Sequence, residues 1–343
     1  MYINLANIDF IPGQGGGGGS AVIEGLTITS NGTYTAGAGV DGYSPIEVNV
    51  PVSGWDQKSF TEGAIEIIDV YNSASFVASA AFNSDKKIQT VNLPYATSVG
   101  TSAFRMCASL TQVNLPMCSY IGNQAFWGCW SLSQFSLPVC TYIGEKAFGS
   151  CRSLTQVDLP MCSYIGRQAF DGCSSLSQVN LPMCDYISSQ AFGGCRLITQ
   201  ISLPVCTYIG DGVFFGTCPV TQLDLPMCSY IGPKNFAGWR SITQISLPVC
   251  TYIGGGAFNG CFSLSQVNLP VCSYIGGGGF GSCSSLSIIT IGYSDVCVVS
   301  STTFGSTPIT DGTGSIYVPA SLVDAYKSAE NWSVFSSQIF PIE

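Results

Sequence analysis

One spacing governs this sequence. The dipeptide Leu-Pro begins at Leu93, Leu115, Leu137, Leu159, Leu181, Leu203, Leu225, Leu247 and Leu269, always 22 residues apart. A phenylalanine column keeps the same interval from Phe82 through Phe104, Phe126, Phe148, Phe170, Phe192, Phe214, Phe236 and Phe258 to Phe280, without an insertion. A period of this length marks each copy as one supersecondary unit. Such a unit cannot bury its apolar face alone, so the copies must stack into a solenoid. Length alone suggests about two domains; the repeat replaces that expectation with one quasi-one-dimensional array over most of the chain.

A single copy shows how the stacking works. In Ser109–Trp130, Val113 and Leu115 alternate with Gln112 and Asn114, as in a half-buried strand. Pro116 then removes a backbone donor and closes the ladder. Leu110, Val113, Leu115, Ile121 and Phe126 are expected to point inward. The spacing Leu110, Val113, Leu115, Cys118 resembles a leucine-rich repeat, with cysteine in a slot that takes Asn or Cys. The following Ile121-Gly122, Ala125-Phe126 and Gly128-Cys129 resemble the BspA-like leucine-rich repeats of bacterial surface proteins, and the resemblance spans roughly residues 80–292. It implies an α/β leucine-rich-repeat solenoid, strand-rich, with short helical turns on the convex side.

The flanks differ from the array. Residues 1–20 are expected to form an apolar docking tag, with Ile3, Leu5, Ile8 and Phe10 as contacts, followed by the flexible tether Gly15 to Gly19. Residues 21–52 read as a small β module: Leu26-Thr27-Ile28-Thr29, a hairpin signal at Asn31-Gly32, Thr33-Tyr34-Thr35, and a strand from Ile46 to Val50. The stretch from Asn31 to Pro51 resembles a small β module of phage tail and other virion proteins. Residues 53–292 are then the solenoid with its N-terminal cap. Residues 293–343 are a C-terminal cap, where the phase slips to Phe304, Ile316–Pro319 forms a last strand, and Ala320 to Asn331 forms one helix with Leu322, Val323 and Tyr326 on one face.

Composition excludes several functions. Charged residues are 9% of the chain, against roughly 25% in ordinary domains. With 11 Lys+Arg and a net charge of -9 there is no basic footprint for nucleic acid. No apolar run is long enough to span a bilayer as a helix, so no membrane insertion is expected. Met1–Phe10 has no Lys or Arg and no long apolar core, so it does not read as a secretory signal. Histidine is absent, which removes the commonest general base and metal ligand. Carboxylates such as Asp158 and Asp224 sit on turns too far apart for paired acid–base work. No catalytic residue, metal site or cofactor is expected.

The 17 cysteines sort into two columns and one remainder. Eight follow Leu-Pro-x, from Cys118 to Cys272. Seven keep phase from Cys107 to Cys283, Cys218 falls one place late, and Cys297 is left over. Thr217 and Trp239 interrupt the second column while Cys228 and Cys250 persist in the first, so obligatory bridges between columns are not expected. Buried reduced thiols acting as small hydrophobes are.

Two surfaces could carry a function. The concave strand face presents Gln112, Gln134, Gln156, Gln178, Gln200, Gln222, Gln244 and Gln266, an amide sheet suited to glycan or protein, or simply a ladder of side chains bonding one another. The columns flanking Phe-x-Gly-Cys vary between copies and hold Trp127, Trp130, Arg152, Asp171, Arg196, Phe215, Trp239, Arg240 and Phe262. Aromatic and arginine residues are the usual anchors of interfaces, so these are candidate partner contacts; drift at tolerant positions is the plainer account. The expectation is a non-enzymatic bacteriophage virion protein, a fibre, spike or decoration protein, bound to other virion proteins through residues 1–12. Its solenoid would face a host surface protein or glycan, and homo-oligomers are open to it. The alternatives are a bacterial cell-surface adhesin of the BspA-like type and a glycan-active enzyme.

Overall fold

The computed structural model describes residues 76–343 apart from 78, 87, 94 and 217, together with short strands at Ser20–Ile23, Leu26–Thr29, Tyr34–Ala36, Ile46–Glu47 and Ile67–Asp69. Two compact units divide the chain: Met1–Cys162 with Ala169–Ser175, and Ser163–Gln168 with Leu176–Glu343. The docking tag of residues 1–12 and its four apolar contacts lie outside the described residues.

In the first unit, Leu26–Thr29 pairs antiparallel with Ser20–Ile23 and with Tyr34–Ala36. Ile46–Glu47, read as part of that module, instead pairs in parallel with Ile67–Asp69. The ladder continues through Thr90–Asn92 and Gln112–Asn114 to Gln134–Ser136. A second parallel ladder joins Phe76–Val77, Ser98–Val99, Tyr120–Ile121 and Tyr142–Ile143. Residues pair across 22 positions, so each side chain lies over its own copy in the next turn.

The return segments, expected to be short helical turns, are successive tight turns. Cys129 N–H bonds to the Phe126 carbonyl and Leu132 N–H to the Cys129 carbonyl, while Phe104 N–H reaches the Ala125 carbonyl of the next turn. Gln124 and Gly128 both have positive φ, at 56° and 74°. A left-handed residue every fourth position breaks any right-handed helix. The first helix among the described residues begins at Ala320.

The second unit repeats the two ladders. Short strands run in parallel register from Tyr164–Ile165 to Tyr274–Ile275, then to Val298–Val299 after a two-residue slip. Long strands pair as Gln178–Asn180 with Gln200–Ser202, and Gln222–Asp224 with Gln244–Ser246. A last set joins Gln266–Leu269, Ile288–Ile291, Ser315–Val318 and Ile339–Pro341. This final strand corrects the reading that Ile316–Pro319 ends the array. The single C-terminal helix is also corrected: a 3₁₀ turn at Ala320–Leu322 leads into an α-helix at Val323–Ser328, and a second 3₁₀ segment follows at Ser333–Gln338. Ala329 is extended and Asn331 has φ 62°, so the helix cannot reach Asn331. Tyr326 is buried, whereas Leu322 and Val323 are half-buried.

Each unit's core is built from columns. Leu110, Val113, Leu115, Ile121 and Phe126 are all buried, as their spacing predicts. Phe82, Phe104, Phe126, Phe148 and Phe170 stack with centroids 5.0–5.3 Å apart. In the second unit Phe192, Phe214, Phe236, Phe258 and Phe280 stack at 5.2–5.8 Å. The ladder spacing sets these distances, and each buried ring adds about 1.5–3 kcal/mol of burial.

Candidate binding surfaces

The thiols come first, because they are the chain's only abundant reactive groups. All 17 are free and buried. The second column has a defined task. Cys129 Sγ donates to the Phe104 carbonyl at 3.1 Å, and Cys151, Cys261 and Cys283 repeat the bond to the carbonyl 25 residues earlier. In the first column Cys228 donates to the Tyr230 carbonyl at 3.3 Å. Burial pushes Cys118 up to about 11 and Cys129 up to about 12. Burial that holds a thiol protonated disfavours the thiolate, the nucleophilic form. Among the described residues no group of three or more His, Cys, Asp and Glu could hold a metal ion.

The turn ridges carry the variable residues. In the first unit, the Arg105 guanidinium lies 4.8 Å over the Trp127 ring, and Trp127 is half-buried against Gly149. Trp130 is 43% exposed and Arg152 is exposed. Asp171 is half-buried; burial raises its carboxyl and Lys146 partly opposes the shift. In the second unit, Arg196, Phe215, Arg240 and Phe262 are all exposed. Phe215 is 54% and Phe262 40% exposed, and the Arg240 guanidinium sits 5.3 Å over the Phe262 ring. Gly216 lies against the Arg196 side chain, so Phe215 and Arg196 are neighbours on this ridge.

Trp239 is a correction. It was read as an exposed anchor, but it is fully buried, edge-on to Phe214 and Phe236. Its Nε1–H donates to the Phe214 carbonyl at 3.2 Å, the bond that a cysteine makes in that slot elsewhere. The signal was in the phase: Trp239 stands 22 residues before Cys261, in a core column.

On the strand face the Gln column is exposed throughout. Part of it bonds to itself, as in Gln222 Nε2 to Gln244 Oε1 at 3.4 Å; beside it Asn114 Nδ2 donates to Asn92 Oδ1 at 2.8 Å. The tyrosine column lies at the surface in face-to-face stacks, Tyr186 on Tyr208 at 4.5 Å and Tyr208 on Tyr230 at 4.6 Å. Ring faces are therefore mutually covered and only edges meet solvent.

One surface escaped the sequence reading. The residue after each Leu-Pro is exposed and apolar: Tyr95, Met117, Val139 and Met161 in the first unit, and Met183, Val205, Met227, Val249 and Val271 in the second. An apolar side chain kept at an outward position in every copy is itself the sequence signal.

A family model described as BspA type leucine rich repeat region matches residues 53–162, 119–228 and 207–329. Solved structures similar to the chain include a leucine rich cell surface protein from Faecalibacterium prausnitzii, 17% identical, covering 93% of this chain and 97% of that one, with a TM-score of 0.39. The leucine rich repeat protein of T. pallidum is 26% identical over 62% of this chain and 81% of its own, TM-score 0.34. The pneumococcal vaccine antigen PcpA is 15% identical over 94% and 96%, TM-score 0.33. No curated protein matches the chain in sequence. Among the described residues no helix is long and apolar enough to cross a membrane.

Proposed function

Because the chain belongs to the BspA-type leucine-rich repeat family, we propose that it is a non-enzymatic recognition module, a surface-displayed adhesin whose turn ridges contact a macromolecular partner. One observation carries this reading: Arg196, Phe215, Arg240 and Phe262 stand exposed together on the second unit, above columns that hardly change between copies. The array needs Leu, Ile, Phe and Cys to fold; it does not need arginine paired with aromatic rings on its outside. Such side chains are the usual energetic centres of interfaces. Trp127, Trp130, Arg152 and Asp171 form a second candidate patch on the first unit.

The carrier is a bacterial cell surface in this reading, in keeping with the family. A virion is the second reading, with residues 1–12 binding other virion proteins and the array turned toward a host protein or glycan. The antiparallel sheet at Ser20–Ala36 favours it, since that stretch overlaps the one that resembles a virion module.

Fluorescently labelled protein, applied to bacterial and animal cells in flow cytometry, tests the ridge. The variant with Arg196, Phe215, Arg240 and Phe262 all changed to alanine should lose at least tenfold in cell binding while keeping its melting temperature. Undiminished binding would remove the ridge from the account. Antibody labelling of intact producer cells and of purified phage particles separates the two carriers.

A further inference from the structure

The strand face of the second unit is not uniform. The pair Gln222–Asp224 and Gln244–Ser246 forms one small sheet, and Gln266–Leu269 begins another; the two are not joined as one sheet. A trough of about 480 Å³ spans this break, within the usual range of small-ligand sites. Its apolar lining residues are the exposed Ile288, the half-buried Ile245, and Leu223 and Val267, which are buried between the outward amides. Around it stand the amides of Gln222, Gln244, Gln266 and Asn268, with the hydroxyls of Ser246 and Thr290. Asp224 is the only charged residue in the lining.

We propose that this trough is a carbohydrate site that holds a short stretch of a neutral, hydroxyl-rich oligosaccharide. The lining excludes other ligand classes by its chemistry. An anion would meet no cation and one carboxylate. An apolar ligand would strip water from four amides and two hydroxyls and leave them unpaired. A polycation would find a single carboxylate. A sugar satisfies all parts at once. Its C–H face meets Ile288 and the half-buried Ile245, its hydroxyls both donate to and accept from the amides, and two adjacent hydroxyls can donate to the two oxygens of Asp224 in charge-assisted bonds. Asp224, Gln266, Asn268 and Thr290 make no side-chain hydrogen bond to another described residue, so these groups are available to a ligand. The site is independent of the ridge: none of Arg196, Phe215, Arg240 and Phe262 lines it.

The full chain, applied to a printed array of neutral, sialylated and sulfated glycans, tests the proposal, with the strongest neutral ligand carried into calorimetric titration. Neutral glycans should bind and anionic ones should not. Ser246→Trp, which plants an indole in the open trough, should abolish binding. Asp224→Asn should weaken it about tenfold, and the four-alanine ridge variant should leave it unchanged. Melting temperatures of all variants should match the parent. An array with no neutral ligand, a preference for acidic glycans, or full affinity in Ser246→Trp would overturn the site. Loss of glycan binding in the ridge variant would also overturn it, by placing the ligand on the other surface.

Discussion

Two neighbouring turns of the second unit solve the same problem with different chemistry. In one, Ala257 and Cys261 follow the repeat: Ala257 N–H bonds to the Gly254 carbonyl, and the Cys261 thiol donates to the Phe236 carbonyl at 3.4 Å. In the other, Asn235 and Trp239 stand in those two slots. The Trp239 indole donates to the Phe214 carbonyl, and Asn235 accepts from Val213 N–H while donating to the Gly210 and Gly232 carbonyls at 2.6 and 2.9 Å. The preceding turn is altered too: Cys218 falls one place late and donates to the Cys195 carbonyl instead. The comparison teaches that the slot requires a buried donor aimed at one carbonyl, and does not require a thiol. Near the end of the array Thr303 fills the slot that Asn235 fills here, its hydroxyl bonding the Ile275 and Gly276 carbonyls.

Alkali should break the comparison most severely, because a thiol titrates and an indole does not. Burial raises the folded-state pKa of Cys129 in this column to about 12, and that of Cys118 in the other cysteine column to about 11, against an ordinary value of 9.0. A raised thiol contributes stability that is complete below pH 9 and is lost as pH climbs toward the folded value. Over that window each thiol lowers stability by about 1.4 kcal/mol per pH unit. The costs of several raised thiols add, so the total loss across this window is comparable with the stability of a whole domain. Guanidinium melts under reducing conditions should therefore show a steep fall between pH 9 and pH 11. A flat profile would show that the S–H donors are not what the regular turns depend on.

Trp239→Ala comes next. It removes the donor and opens a cavity between Phe214 and Phe236, so a loss of about 3–5 kcal/mol is expected in chemical denaturation. Cys261→Ala in the regular turn removes a donor and a single sulfur atom and should cost less than half as much. Equal costs would mean that the carbonyl bond, not the filled volume, sets the energy of the slot.

What the sequence made legible, and what it hid, follows from these columns. Leu110, Val113, Leu115, Ile121 and Phe126 are buried because a 22-residue period leaves each only one place to go. Trp239 was misread because its residue type suggested an interface anchor while its phase placed it in the core, and phase is the stronger physical constraint. The final strand Ile339–Pro341 follows a cap that has no period, so pairing with Ser315–Val318 had no signal in spacing. The exposed Met and Val after Leu-Pro carry their signal as an apolar residue repeated at a position that faces solvent. The trough at Asp224 depends on a break between two sheets, and a break in hydrogen bonding between strands of ordinary composition leaves no mark in either strand.

Asn235→Ala sharpens the same comparison at lower energy. It restores the residue that regular turns carry, yet it removes an acceptor from Val213 N–H and a donor from two carbonyls. A cost of about 2 kcal/mol is expected, because buried backbone groups lose partners the surroundings have adapted to. A neutral or stabilising result in a urea melt would show that the backbone relaxes to the alanine arrangement, with Val213 N–H returning to the Gly210 carbonyl.

The smallest effect separates conformation from contact in a third slot. Gln124, Lys146, Gln168, Gln190 and Lys234 all have φ between 55° and 59°, while Gly212, Gly256 and Gly278 fill the same slot at 59° to 66°. A side chain in the left-handed region costs about 1 kcal/mol, and glycine avoids that cost but loses more freedom on folding. Gln124→Gly should thus stabilise by roughly 0.5 kcal/mol, a rise of about 1–2 °C in melting temperature. Gly256→Gln should move it the other way: the space there is ordinary van der Waals contact with Lys234 and Asn259, so only the backbone conformation opposes the side chain. Opposite shifts in the two variants would make conformation the determinant of this column. If both variants lose stability, each slot is tuned to its own neighbours, and the left-handed turns share with Asn235 and Trp239 the property that a local substitution is matched by the turn beside it.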